Sequence, residues 1–84
     1  RRGISSMWLE LGKERRQAQD KYGPFHSTHE GYGVLAEEVA ELLDAIRSNN
    51  PEDIQGEAIQ VAAVALRIAL ACENNDFRVR SGIK

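Results

Sequence analysis

The third predicted helix limits the fold of this chain more than any other segment. Between Ile54 and Cys72, apolar residues occur on nearly every side of a helical projection, and alanines are frequent among them. A helix that is apolar on most sides lies at the centre of its bundle or is shared with a partner chain. A chain of 84 residues buries only a modest core. We therefore expect an all-α protein, an antiparallel helical bundle that is completed by oligomerisation.

Terminus signals define the first two helices. Apolar positions repeat at helical spacing over residues 5–22, and Gly23-Pro24 ends this pattern. Ser27 and Glu30 match a capping box, in which the serine oxygen accepts from a helical N–H and the glutamate reaches back. The capping box predicts a second helix of about 20 residues that ends near residues 49–50.

A strong start signal separates the second helix from the third. Asn50 suits the capping position, Pro51 suits the first helical position, and two acids follow in the first turn. The third helix is expected to continue to about residues 74–75. The short link predicts an antiparallel helix pair. Residues 76–84 match no single element, so we expect one helical domain over residues 1–84 with an undefined tail.

Charge and cysteine content argue against several classes of protein. The net charge is -2, whereas domains dedicated to nucleic acids are usually strongly basic, so no nucleic-acid partner is expected. Cys72 is the only cysteine, which excludes a disulfide within the chain and leaves no zinc spacing, and its apolar context predicts a core position. The longest apolar run, Ala58 to Cys72, is shorter than the roughly 20 residues of a membrane span. We expect a cytoplasmic protein without a membrane segment.

Four acidic residues lie close together on the second helix, and their directions differ. At about 100° per residue, Glu37 and Asp44 fall away from the apolar arc, toward water. Glu38 lies at the margin of that arc, and Glu41 lies on the same flank three residues later. Two like charges at this spacing are mildly destabilising unless something positive lies near them.

The third helix carries a carboxylate in an apolar position, because Glu57 falls between Val64 and Ile68 in projection. An unpaired charge there would cost on the order of several kcal/mol, so it needs a proton, a basic partner or a metal. One interpretation pairs Glu57 with Arg67 or a lysine and leaves the second helix's acids half-solvated. The other brings Glu57 together with two of those acids as oxygen ligands for a hard cation such as Mg²⁺.

The acidic positions also resemble a family signature. Glu37-Glu38-Val-Ala-Glu41, then 15 intervening residues, then Glu57-Ala-Ile-Gln60 resemble the EExxE…ExxD pattern of the MazG-like all-α nucleoside triphosphate pyrophosphohydrolases. The resemblance covers roughly residues 29–72. It implies Mg²⁺-dependent hydrolysis of a nucleoside triphosphate to monophosphate and pyrophosphate, as in nucleotide house-cleaning. It also implies a homodimer or homotetramer, in which a second chain completes the bundle.

The same resemblance assigns roles by position. It implies catalytic and metal-binding roles for three glutamates, namely Glu38, Glu41 and Glu57. The fourth metal position, normally Asp, is Gln60, whose carbonyl can coordinate Mg²⁺ but brings no charge and cannot act as a base. Glu37 and Glu30 are candidate auxiliary acids, although Glu30 also has its capping role.

A triphosphate needs positive partners besides the metal. The candidate phosphate-binding residues are Lys13, Arg16, Lys21 and Arg67, and Trp8 could form a base pocket with the segment from Lys21 to Phe25. The aromatic residues are equally candidates for core or interface positions, since aromatic side chains mostly serve burial.

Two other functions remain open from the sequence. Because Gln60 replaces an acid, the chain could bind Mg²⁺ and a nucleotide without catalysis. It could also be a non-enzymatic helical dimerisation domain whose acids are simply solvated.

Overall fold

Three α-helices make up most of residues 3–74, which are the residues that the structure, a computed structural model, describes. α1 runs over Ile4–Tyr22, α2 over Thr28–Ser48 and α3 over Pro51–Asn74, and this described part contains no strand. The all-α class and the three predicted helices are therefore confirmed. The predicted tail, residues 76–84, lies outside the described residues.

The start of α2 follows the capping signal. The Ser27 Oγ accepts a hydrogen bond from the Glu30 N–H at 3.1 Å, which is the first half of the capping box. The Glu30 carboxylate reaches back one residue beyond the cap and accepts from the N–H of His26. These two hydrogen bonds fix the backbone on both sides of the capping residue Ser27.

The link between α2 and α3 consists of two asparagines with different tasks. Asn49 adopts the left-handed conformation, with φ at 65°, and its N–H bonds the carbonyl oxygens of Ala45 and Ile46 at 3.1 Å. Asn50 Oδ1 accepts from the N–H groups of the next two acids at 3.0 and 3.3 Å. One residue ends a helix and the next begins another, so the chain reverses within two positions.

α3 is the central helix. It packs against α2 and against α1, whereas α1 and α2, both within the described range, do not pack on each other. The neighbours of α3 therefore lie on different sides of it, and a cavity separates the end of α1 from the start of α2.

The core of the single chain is thin. The buried apolar residues are Phe25, Ala45, Ile59, Ala63, Val64 and Ala71. Large apolar side chains remain exposed on α1 and α2, namely Ile4, Trp8, Leu9, Tyr22, Tyr32, Val39, Leu43 and Ile46. Oligomerisation would cover this surface, and it stays a prediction.

The outward stripe of α3 corrects one expectation. Cys72 is exposed, so the prediction of a core position is wrong for the single chain. It continues a stripe of exposed alanines, which are Ala58, Ala62, Ala65 and Ala69. Because α3 is apolar on nearly every side, its sequence pattern does not distinguish the side that packs on its neighbours from the side that faces outward.

α3 also bears on the membrane expectation. The helix is longer than the run Ala58 to Cys72, and over Pro51–Glu73 its length and mean hydropathy of 1.4 would suffice to cross a membrane. The central helix of a soluble bundle meets the same two criteria, and α3 carries Glu57 and Arg67 within its length. A cytoplasmic protein without a membrane segment therefore stays a prediction.

α2 lies close to α3 at Gly31. A Cβ atom on this buried residue would lie 2.9 Å from Ile68 Cγ1 and 3.2 Å from Phe25 Cδ2. A glycine permits this approach because it has no side chain. The contact places the start of α2 beside Phe25, which lines the cavity.

Candidate functional site

Three glutamates from two helices meet at the α2–α3 contact. Glu38 and Glu41 lie three residues apart on α2, and Glu57 lies on α3. One carboxylate oxygen from each residue can be chosen so that all lie within 4.8 Å of one another. Glu38 and Glu57 are half-buried, and Glu41 is exposed. The structure thus brings together the three glutamates that the acidic motifs single out.

Two oxygens of this acidic cluster lack hydrogen-bond partners. Glu38 Oε1 and Glu57 Oε1 are both buried, and neither has a partner among the described residues. A buried polar atom without a partner costs about 1–3 kcal/mol, and a charged group costs more. A hard cation would supply what these oxygens lack, because carboxylate oxygens are the ligands that Mg²⁺ prefers. The donor set therefore fits Mg²⁺.

Burial and mutual repulsion shift the titration of the cluster. Burial raises the pKa of Glu57, and the charge of Glu41, a hydrogen bond with Glu41 and the charge of Asp53 raise it further. Burial likewise raises the pKa of Glu38, followed by the charges of Glu41, Glu57 and Glu37. Both carboxyls hold protons to higher pH than usual, so a binding cation must compete with protons.

Arg67 is buried, with 6% of its surface exposed, but it does not pair with Glu57. Its guanidinium carbon lies 4.2 Å from the centroid of the Phe25 ring. Its Nε donates to Gln19 Oε1 at 3.3 Å and its Nη2 donates to the Gly23 carbonyl at 3.1 Å. These partners are neutral, so within the described part of the chain the predicted Glu57–Arg67 ion pair does not form.

The charge of Arg67 is only partly compensated. Burial lowers the pKa of Arg67, and electrostatic interactions with Glu30 and Tyr22 oppose this change. Arginine nevertheless stays protonated in proteins. A desolvated cation with neutral hydrogen-bond partners favours an anion beside it.

A cavity of about 470 Å³ lies between the end of α1 and the start of α2, and Glu38 of the acidic cluster lines it together with Arg67. Glu38 and Gln60 line it toward the acidic cluster, while Arg67 and Phe25 line it farther along α3. Gln60 and Arg67 are two helical turns apart, which corresponds to about 10 Å along the axis. The volume is in the range of small-molecule sites, roughly 300–1,000 Å³. The candidate auxiliary acids Glu30 and Glu37 also line this cavity.

The other candidate binding residues of α1 lie outside the cavity. Lys13 and Arg16 are exposed, and the exposed Lys21 has its Nζ 5.2 Å from the centroid of the neighbouring Tyr22 ring. Trp8 is 63% exposed and lines a separate apolar groove between α1 and α3. Trp8 and Tyr22 are fourteen positions apart on one helix, about 21 Å, so the single chain does not assemble the predicted base pocket from both.

Gln60 makes a contact that no sequence pattern singles out. Its Nε2 donates to Glu14 Oε1 on α1 at 2.8 Å, across 46 positions of the chain. Glu14 lies on the same face of α1 as Leu11 and Ala18. A carboxylate on this largely apolar face indicates that Glu14 has a polar partner. Its partner could not be inferred, because the pairing depends on how α1 lies against α3.

No family model matches the chain, and no curated protein or solved structure matches it either. The resemblance to MazG-like enzymes therefore rests on the two acidic motifs, whose carboxylates meet at the α2–α3 contact.

Proposed function

We propose that this chain is a MazG-like, Mg²⁺-dependent nucleoside triphosphate pyrophosphohydrolase that releases a nucleoside monophosphate and pyrophosphate. The observation that carries the proposal is the meeting of Glu38, Glu41 and Glu57 beside a cavity that also contains the buried Arg67. Carboxylates on facing helices are an established way to build a metal site in a helical bundle. An acidic cluster beside the cavity and a buried arginine that lines it would suit a ligand that is a metal-bound polyphosphate.

The proposed chemistry adds water across the bond between the first and second phosphates. Bound Mg²⁺ would offset phosphate charge and lower the pKa of the attacking water. The three glutamates of the cluster would hold and orient this cation. None of them needs to form a covalent intermediate, because water is the nucleophile.

Arg67 is the proposed phosphate-binding residue. Gln19, Gly23 and Phe25 fix its guanidinium, so the group needs little further ordering when an anion binds. Its charge is also already desolvated by the surrounding protein, which strengthens its attraction to a phosphate compared with an exposed lysine. The outer phosphates would lie toward Arg67, with the bond to be broken nearer the cation.

We further propose that the active form is a cytoplasmic homodimer or homotetramer. The exposed large apolar side chains on α1 and α2 and the exposed alanine stripe of α3 support this proposal. Analytical ultracentrifugation at micromolar concentration tests it. A folded, monodisperse monomer at that concentration would contradict it.

The test of the enzymatic proposal is pyrophosphate release from a panel of standard and modified nucleoside triphosphates, with and without Mg²⁺. We expect release from at least one substrate, and we expect Glu57→Gln to abolish it. Glu52→Gln is the matched control, because Glu52 is an exposed acid on the same helix outside the cluster. The control should retain full activity.

Two other outcomes correspond to the two alternative functions. Binding of Mg²⁺ and nucleotide in calorimetry without any pyrophosphate release would indicate a binding module, which the neutral Gln60 favours. Binding of neither would indicate a helical dimerisation domain, which the exposed apolar surface favours.

A further inference from the structure

The side-chain amide of Gln60 donates its hydrogen bond to α1 and not to the acidic cluster. Gln60 is half-buried, lies one turn from Glu57 on α3 and lines the same cavity as Glu38. An amide NH₂ group in this place has two buried acceptors nearby that lack partners, Glu38 Oε1 and Glu57 Oε1. Instead, its Nε2 donates to Glu14 Oε1 at 2.8 Å.

This hydrogen bond determines which end of the amide remains available. The nitrogen and oxygen of a side-chain amide diverge from one carbon, so a nitrogen held at α1 leaves the oxygen for another ligand. Among the described residues, no donor bonds to Gln60 Oε1. The oxygen of Gln60 is therefore open to a further partner, and Gln60 lies one turn from Glu57 on α3.

We propose that Glu14 is a positioning residue for the cation site, which holds Gln60 so that its carbonyl oxygen completes the set of metal ligands. The inference rests on the proposed function, because it requires a cation at the three glutamates. Outer partners of metal ligands typically change metal affinity by about 10–100-fold when they are removed.

The proposal gives a physical account of the neutral residue at position 60. The acidic motif has a charged ligand there, whereas this chain has a neutral amide whose nitrogen bonds a carboxylate from a different helix. In this chain the negative charge belongs to Glu14, which would contact the cation only through Gln60. α1 packs on α3 and not on α2, so Glu14 links α1 to the site through α3.

Mg²⁺ titration by calorimetry tests the proposal on the full chain, with Mg²⁺ alone as the probe. Glu14→Leu removes the acceptor and should weaken Mg²⁺ binding by about 10-fold or more. Glu14→Gln keeps an acceptor oxygen at the same distance and should stay within about 3-fold of the wild type. Gln17→Leu, an exposed change on the same helix, is the control and should have no effect.

A double variant separates positioning from a general effect on folding. In a Gln60→Leu chain, Glu14→Leu should weaken Mg²⁺ binding no further, because the residue through which Glu14 acts is absent. An unchanged Mg²⁺ affinity in Glu14→Leu overturns the proposal. An equal loss in Glu14→Gln and Glu14→Leu overturns it too, since Glu14 would then act through its charge alone.

A metal-free measurement distinguishes failure of this inference from failure of the proposed function. In NMR spectra recorded with EDTA, the Gln60 side-chain NH₂ should show contacts to residue 14 in the wild type and in Glu14→Gln. In Glu14→Leu the contacts should move to Glu38 or Glu57, and contacts that stay in place overturn the inference. Absence of Mg²⁺ binding by the wild type overturns the proposed function and, with it, the metal role of Glu14.

Discussion

Replacement of Glu57 by glutamine tests the electrostatics of the acidic cluster. One oxygen from each of three carboxylates lies within 4.8 Å of the others. Two full charges at that separation repel by about 0.9 kcal/mol in water and about 3.5 kcal/mol at an effective dielectric constant of 20. Glu41 is exposed and Glu57 holds a proton to raised pH, so the actual value lies toward the lower limit. We expect Glu57→Gln to raise the metal-free free energy of unfolding by about 1–2 kcal/mol.

Thermal denaturation followed by circular dichroism, near neutral pH, measures this change. In EDTA, Glu57→Gln should unfold roughly 4–16 °C above the wild type, given about 4–8 °C per kcal/mol for a domain of this size. Saturating Mg²⁺ should stabilise the wild type and leave the variant unchanged, because only a chain that binds the ion gains from it. The control Glu52→Gln loses a charge at a helix start, so it should be less stable by under about 1 kcal/mol.

Two results would refute this reasoning. A metal-free Glu57→Gln protein that is clearly less stable than the wild type would show that Glu57 belongs to a stabilising pair. A variant that is more stable, yet gains as much from Mg²⁺ as the wild type does, would show that Glu57 is not a ligand.

The carboxyl pKa values, one glycine and the site glutamine each give a further test. The folded-state pKa of both Glu38 and Glu57 is raised above the usual value of 4.5, so their stabilising contribution is present below pH 4.5 and is lost as the pH rises through the folded-state pKa. The free energy of unfolding in EDTA should therefore fall more steeply with pH in the wild type than in Glu57→Gln, and equal slopes would contradict the raised pKa. Gly31→Ala introduces a Cβ 2.9 Å from Ile68, so urea denaturation should show a loss of about 1–3 kcal/mol from overpacking, less about 1 kcal/mol gained in helix propensity. Gly33→Ala meets open space on the same helix and should gain up to about 1 kcal/mol, so equal effects at the two sites would mean that α2 lies farther from α3. Gln60→Asp adds a carboxylate beside the acids, so it should lower stability in EDTA and raise Mg²⁺ affinity in calorimetry, and no change in either would put residue 60 outside the site.

Local chemistry explains why the helix ends could be predicted. The contacts of Ser27 and Asn50 join groups two or three residues apart, and their geometry is set by the backbone at the start of a helix. The sequence spacing alone therefore predicts both starts. The first helix begins one residue earlier than predicted, at Ile4, and no side chain caps its start, so its sequence has no comparable start signal.

Predicting the acidic cluster requires the pairing of two helices as well as helical spacing, and the sequence indicates both. Helical spacing put Glu38 and Glu41 on one flank of α2, and the short link made α2 and α3 antiparallel neighbours. The structure brings Glu57 to the same place. That the three bind a metal is a separate statement, which stays a prediction until the ion is titrated.

The placement of α1 could not be predicted in the same way. α3 is apolar on nearly every side, so its pattern does not say which face meets α1. The Glu14–Gln60 hydrogen bond and the position of Trp8 away from the cavity both depend on that choice. The prediction for Cys72, which is exposed, failed for the same reason, because the outward face of α3 is as apolar as its packed face.

Glu57 and Arg67 lie on the same helix and carry opposite charges, and the proposed ligand would interact with both. Glu57 and Arg67 are ten positions apart, about 15 Å along the axis. At that distance, two opposite charges attract by only about 0.3–1 kcal/mol, which is too little to offset the burial of either group. In the proposed complex, a metal-bound triphosphate would place its cation at the glutamates and its outer phosphates toward Arg67. Such a ligand would compensate both groups at once, whereas free Mg²⁺ or a simple anion would compensate only one.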